Sequence, residues 1–230
     1  MSIYQQLAKF DSPTIFNAVD KYINESKTYS RDTHSLMYTD KTIKCLLPEL
    51  GSIVGKAVTA EVTTNDPDSK SIPWDDYYST LEDLEGPIVS VIKDVDSNPG
   101  RGACFGDGMA YGHKMLGVTG AIVDGTVRDL YGIKEAGLPI WANGLVPGHG
   151  TFNLISVNSS LTIGSLRIQE NDILVADING CTKIPKEFNA EEILNLAVQI
   201  RGFEQNIFEI YQKPNMTYSE ARKEINQITK

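Results

Sequence analysis

A chain of 230 residues, 41% hydrophobic and 22% charged, has the length and balance of one generous domain, or a domain with an appendage, able to bury a sizeable core. No apolar run approaches the roughly 20 residues that span a bilayer, and the start, MSIYQQLAKFDSPTIF, lacks the basic-then-apolar order of a signal peptide. The formal charge of -9 argues against nucleic acid as the main partner, because phosphate contacts need a basic surface.

Residues 3–24 carry apolar positions broken at Ser12-Pro13, which predicts two short helices, the second capped by Ser12 with Pro13 in its first turn. Residues 25–50 are polar and without period, a surface excursion. SIVGKAVTAEVT, from Ser52 to Thr63, alternates and is rich in valine, as a strand is. A turn-rich stretch at 64–75 leads to a helix at 76–84, and PIVSVIKDV, from Pro87 to Val95, reads as a buried strand. A glycine-dense loop follows from Ser97 to Gly108. Then come a helix from Met109 to Leu116, a strand from Gly120 to Val123, a turn at Asp124-Gly125, a helix from Asp129 to Ala136 ended by Gly137, and a strand from Leu138 to Ala142. This rhythm predicts an α/β core with parallel pairing. Between Leu161 and Pro185, short alternating runs separated by Gly, Asn and Asp predict antiparallel strands. Residues 187–212 have the spacing of a long amphipathic helix, Pro214-Asn215 breaks it, and Ser219 to Ile228 forms a last one.

Chemistry gathers at Asp107 and, after twenty intervening residues, at Arg128-Asp129. The intervening stretch reads as helix, turn and strand, so the two loops could meet at one end. An acid, a guanidinium and a second acid there could hold a divalent ion and a small anionic substrate. Each part also has a plain structural reading. Asp107 is an acceptable helix N-cap, and the glycines around it allow tight turns. Thr126-x-x-Asp129 fits a capping box. The functional reading gives the backbone N–H groups of the helix start to a carboxylate or phosphate, and sets Arg128 beside an acid just past a strand's C-terminal end, the usual ligand side of an α/β sheet. Gly106-x-Gly108-x-x-x-Gly112 resembles a loosened dinucleotide fingerprint, but the loop starts well after its strand, and no G-K-[ST] is present.

Cys45, Cys104 and Cys181 are odd in number and lack zinc spacing, so they read as reduced thiols in a cytosol, Cys104 as a buried small hydrophobe. His34, His113 and His149 are too far apart in sequence for a His-rich zinc site. His113 is expected to pack or hydrogen-bond, and His149, in Pro147-Gly148-His149-Gly150, to border a pocket.

The stretch GRGACFGDGMAYGHKMLGVTGAIVDGTVRDLYGIKEAGLPIWANG, with FDSPTIFNAVDKY before it and RIQENDILVADINGCTKIP after it, resembles the RraA-like family. That family includes 4-hydroxy-4-methyl-2-oxoglutarate aldolases and the RraA regulators of ribonuclease E. The similarity runs from about Ser12 to Pro185. Asn17 stands where the family commonly has an aspartate. The resemblance implies an α/β fold, an αββα sandwich of swivelling-domain-like type with C-terminal helices: a catalytic domain over 1–186 and a helical extension over 187–230, packed on the same domain or a neighbouring subunit. It implies a homotrimer or homohexamer with the pocket between subunits.

The aldolase branch is marked by an aspartate, twenty residues and Arg-Asp, which Asp107, Arg128 and Asp129 reproduce, whereas regulator-type members lack the first aspartate. The implied function is a divalent-metal-dependent pyruvate aldolase of class II type, with oxaloacetate decarboxylase activity. By the same resemblance, Gly106, Asp107, Gly108 and Met109 would hold the 2-ketoacid through backbone N–H groups. Arg128 would contact the same ketoacid and Asp129 would bind Mg²⁺ or Mn²⁺. The alternative is a non-catalytic regulator whose acidic surface binds a basic segment of a ribonuclease or helicase.

Overall fold

The computed structural model describes residues 1–26 and 37–228. His34 and part of the expected excursion at 25–50 lie outside the described residues. In chain order the helices are α1 (Ile3–Leu7), α2 (Ser12–Glu25), α3 (Trp74–Asp83), α4 (Asp107–Met115), α5 (Leu130–Glu135), α6 (Ala190–Tyr211) and α7 (Tyr218–Ile228). The strands are β1 (Lys44–Cys45), β2 (Ile53–Thr63), β3 (Ile88–Asp94), β4 (Ala103–Phe105), β5 (Val118–Val127), β6 (Ile140–Leu145), β7 (Asn153–Val157), β8 (Leu161–Ile163), β9 (Leu166–Ile168), β10 (Ile173–Asp177) and β11 (Gly180–Ile184). Among these residues no helix is long and apolar enough to cross a membrane.

The main sheet runs β1-β6-β5-β3-β2-β10-β11, with β4 added to β5 and β7 to β2. Its centre, β2-β3-β5-β6, is parallel, as the alternation of strand and helix requires. The hairpin β10-β11 joins β2 antiparallel. The chain from Tyr38 to Cys45 touches both edges: Tyr38 bridges Thr182 on β11, and Lys44–Cys45 pairs with β6. The sheet is therefore nearly closed.

Strand alternation splits the core across this sheet. Val58, Ala60 and Val62 of β2 face one way, packing with Ile92, Phe105, Ala110 and Ile133 under α3, α4 and α5. Ile53 and Ala57 face the other, with Ile122, Trp141, Leu174 and the β8-β9 hairpin. Trp141 is fully buried and its Nε1 donates to the Asp177 carbonyl at 2.7 Å, which satisfies the indole. A third cluster lets α2 and α6 share Ile15, Val19, Ile193 and Ala197 over β10 and β11.

Several local expectations are corrected. Asp11, not Ser12, caps α2, accepting from Thr14 N–H at 3.1 Å. Ser12 is turned inward instead, and its N–H and Oγ donate to Asp177 at 2.7 and 2.8 Å. The described part of 25–50 is no surface excursion, because Met37, Ile43 and Leu47 are buried. The loop from Ser97 to Gly108 contains β4, and β7 is a further strand. Asp124-Gly125 is not a turn: β5 runs straight through it, with a register shift against β6 between Val123 and Thr126. A side chain at 125 would meet Cys104 Sγ at 3.0 Å and Asp94 Cβ at 3.1 Å, so glycine here serves close packing.

Candidate active site

Two parallel strands bring the motif together. β4 ends at Phe105 and β5 at Val127; they pair in parallel, so both release their chains on the same side of the sheet. Arg128 N–H donates to the Phe105 carbonyl at 2.9 Å, locking the two exits together. Gly106 follows β4 as the N-cap of α4, and Asp107 is the helix's first residue rather than its cap. Asp129 follows β5 as the N-cap of α5, in left-handed conformation at φ 57° and ψ 40°, with no side-chain cap bond. The expected Thr126–Asp129 capping box is therefore absent. Thr126 Oγ1 instead donates to the carbonyls of Gly102 at 3.0 Å and Gly100 at 3.3 Å, pinning the glycine-rich segment to β5.

Arg128 and Asp129 are paired, and Asp107 lines the same cavity as Arg128. Arg128 Nε lies 3.0 Å from Asp129 Oδ2, with both side chains over a third exposed. A Cβ at Gly106 would sit 3.1 Å from that same Oδ2 and 3.5 Å from Arg128 Nε, so the loop passes directly over the pair. Asp107 rests against α5: a Cβ at Gly132 would fall 2.6 Å from both Asp107 Cβ and Oδ2. Asp107 Oδ1 accepts from Gly108 N–H at 2.7 Å.

A cavity of about 500 Å³ opens here, lined by Gly106, Asp107, Gly108, Met109 and Arg128. Trp74, Ala103 and Phe105 form further wall, and His149, Thr151 and Phe152 complete it. His149 thus borders a pocket as expected, exposed at its mouth with Nδ1 2.8 Å from the Gly150 carbonyl. Trp74, Thr151 and Phe152 carry no local pattern that marks them as part of this cavity. Gly132 carried the one usable signal, a glycine inside a helix, where propensity disfavours it and a packing reason is the usual one.

Behind the site, buried Asp94 accepts from Gly100 N–H at 2.7 Å, and Asp96 accepts from Thr64 N–H at 2.6 Å. Burial pushes the Asp94 carboxyl upward, and the neighbouring Asp96 adds to it. His113 is fully buried on α4. Its Nδ1 can only donate to the Met109 carbonyl at 2.7 Å, so Nε2 accepts from Tyr77 OH at 2.8 Å, which in turn accepts from Ser90 Oγ at 2.7 Å. Desolvation lowers the imidazole pKa to about 4, so His113 is a neutral anchor for α4, in keeping with the expectation that it packs. Cys104 is buried and its thiol is held far above the usual range by desolvation, which removes it as a nucleophile.

Among the described residues no cluster of three or more His, Cys, Asp and Glu side chains stands ready for an ion. A zinc-type cage is thus not offered by them. The exposed oxygen donors of Asp129, with Asp107 on the adjoining helix, suit a hard divalent cation that keeps most of its waters and takes few protein ligands.

The sequence matches the RraA-like family, described as Aldolase/RraA, over residues 17–182. The chain belongs to that family. An uncharacterized protein of Methanocaldococcus jannaschii is 29% identical over 168 residues, covering 73% of this chain and 76% of its own length. A Halalkalibacterium halodurans protein, whose name assigns it provisionally as a 4-hydroxy-4-methyl-2-oxoglutarate aldolase, is 28% identical over 141 residues, 61% of this chain and 63% of its own. In fold, the chain is similar to an uncharacterized protein from Pseudomonas syringae pv. tomato, with a TM-score of 0.74 at 20% identity, covering 96% and 92% of the two chains. It is also similar to a Streptomyces coelicolor protein described as an unusual member of the RNase ES inhibitor RraA protein family, with a TM-score of 0.68 at 23% identity, covering 88% and 94%. The RraA-like fold is therefore this chain's fold. Asn17 is exposed on α2.

Proposed function

We propose that this chain is a divalent-metal-dependent pyruvate aldolase of class II type that cleaves a 4-hydroxy-2-ketoacid and also decarboxylates oxaloacetate. One observation carries the reading: the parallel exits of β4 and β5 put Asp107 and Arg128 on one cavity, with Asp129 paired to Arg128 at 3.0 Å beside it. Backbone N–H groups of Gly106 to Met109 would orient the ketoacid's carboxylate at the start of α4, where the helix end favours an anion. Asp129 would hold Mg²⁺ or Mn²⁺, which supplies charge stabilisation at the keto oxygen when bound. Arg128 would hold the same ketoacid and, with its fixed positive charge, stabilise the pyruvate enolate left when the bond beyond C3 breaks. Asp107 would position the water that returns a proton to C3. Oxaloacetate decarboxylation passes through the same enolate, so one site serves both reactions.

The site would be completed between subunits of a homotrimer or homohexamer. Exposed Tyr111 and Met115 on α4 and Tyr131 on α5, the helices that start at the motif, support an interface on this face. In the same reading, residues 1–186 form the catalytic unit and 187–230 an extension.

A second reading has its own support in the -9 charge and the likeness to a structure described as an RNase ES inhibitor family member: a non-catalytic regulator that binds a basic protein segment. One experiment separates them. A panel of 2-ketoacids, including oxaloacetate and 4-hydroxy-4-methyl-2-oxoglutarate, is assayed for pyruvate with Mg²⁺, Mn²⁺ or EDTA. Metal-dependent release of pyruvate is expected. No release from any member of the panel with any metal would overturn the enzyme reading.

A further inference from the structure

The loop between β6 and β7 carries a histidine to the cavity, and the rest of the fold fixes that loop in place. The Gly148 carbonyl accepts from Ala103 N–H at 2.7 Å, and Thr151 N–H donates to the Thr64 carbonyl at 2.8 Å. Gly150 lies at φ 64°, and a Cβ there would fall 1.9 Å from that same carbonyl, so only glycine lets the loop come this close. Thr64 is buried just past β2, where its Oγ1 donates to Asp96 at 2.9 Å and accepts from Gly102 N–H at 3.2 Å. At the loop's far end Phe152 stacks on Trp74 with ring centroids 4.7 Å apart. His149 is thus carried on a clamped segment, although its side chain is exposed.

Strand β4 measures how far this loop stands from the guanidinium. Its first residue, Ala103, is bonded to Gly148, and its last, Phe105, accepts from Arg128 N–H at 2.9 Å. Two residues along a strand separate those anchors by about 7 Å. From C1 to C4 a 2-ketoacid reaches about 4 Å. A ketoacid held by its head at Arg128 can therefore present its C4 hydroxyl to His149, and both side chains line the one cavity.

The proton on the ring is placed by a neighbour. His149 Nδ1 lies 2.8 Å from the Gly150 carbonyl, which can only accept, so Nδ1 carries the proton and Nε2 of the neutral ring is an acceptor. A base oriented through its second nitrogen is the arrangement that activates a hydroxyl, and imidazole is the side chain most often used for proton transfer. Aldol cleavage needs such a group, because the C4 hydroxyl must give up its proton as the C3–C4 bond breaks. Oxaloacetate has no such hydroxyl; it loses CO₂ to reach the same enolate.

We infer that His149 is the general base of the cleavage, its Nε2 taking the C4 hydroxyl proton. This inference rests on the aldolase reading and deepens it. The C4 oxygen becomes the carbonyl of the departing fragment, and the C3–C4 electron pair forms the pyruvate enolate. A proton from the water at Asp107 returns to C3. The hydroxide left behind takes the proton from Nε2, which resets the ring and accounts for every atom.

The test sets two reactions of the Mg²⁺-loaded full chain against each other, pyruvate release from 4-hydroxy-4-methyl-2-oxoglutarate and from oxaloacetate. In His149→Gln the ratio of cleavage to decarboxylation is expected to fall by about a hundredfold or more, since glutamine cannot take the proton. Pyruvate has no C4 hydroxyl, so titration calorimetry should find it bound alike by variant and wild type. His149→Ala should show the same split, with added free imidazole restoring cleavage selectively. An equal loss in both reactions, cleavage at the wild-type rate in the variants, or imidazole that speeds both reactions alike overturns the inference and leaves the aldolase reading standing. A wild type that releases no pyruvate by cleavage overturns the aldolase reading and this inference with it.

Discussion

His113 gives the sharpest stability prediction. In the folded chain its imidazole is buried and neutral, donating to Met109 and accepting from Tyr77, and its pKa is lowered to about 4 from an ordinary 6.5. Between those two values the unfolded chain takes up a proton that the folded chain refuses, so the unfolded state binds more protons and stability rises with pH through the window. Above the ordinary value the full contribution is present, and it is lost as pH falls toward the folded pKa. One pKa unit corresponds to about 1.4 kcal/mol, which makes the loss about 2 kcal/mol by about pH 5. Other groups also change protonation on acidification, so the measurement is a difference. Urea unfolding of the wild type and of His113→Gln is followed from about pH 8 to about pH 5. The amide of glutamine can serve Met109 and Tyr77 but cannot take a proton. The variant is expected to be less stable at neutral pH, and the wild type to lose about 2 kcal/mol more than the variant on acidification. Parallel pH profiles for the two proteins would refute the buried, neutral assignment.

The remaining predictions concern the site. Arg128→Ala is expected to lower kcat/KM for pyruvate release by about a hundredfold or more, because a fixed charge facing the enolate is lost; steady-state kinetics with oxaloacetate measures it. Asp107→Asn should cut kcat by about a hundredfold while ketoacid affinity changes little, and an unchanged kcat would remove its role in placing the protonating water. Gly132→Ala should act at a distance from the reacting atoms: a methyl 2.6 Å from Asp107 Cβ must push that residue aside. Alanine also favours the α5 helix, so activity should fall on the order of tenfold or more while the unfolding midpoint holds. A midpoint that collapses with activity would show a packing defect instead.

The strongly patterned parts of this chain were readable before any coordinates. The alternation in Ser52 to Thr63 forms a strand because each face of β2 meets a different core. The spacing of Asp107 and Arg128-Asp129 was readable because a helix followed by a parallel strand returns the chain to the same edge. What escaped were features decided by tertiary contact. β4 is three residues set among glycines, and it is a strand only because β5 lies beside it. Gly125 carries a turn signal, yet Cys104 and Asp94 press against it and keep it extended. Met37, Ile43 and Leu47 have no period because the chain around them is irregular while still buried. Trp74 and Phe152 lie far apart in sequence, and no local pattern announces that they stack.

The most direct test of the account is a comparison of wild type with Asp129→Ala in oxaloacetate decarboxylation, following pyruvate with Mg²⁺ present and again after EDTA. The wild type should be active with metal and silenced by the chelator, and the variant should be inactive in both conditions while keeping the wild-type fold by circular dichroism. Wild-type rates in the variant, or a wild-type rate indifferent to EDTA, would contradict the placement of a catalytic cation beside Arg128.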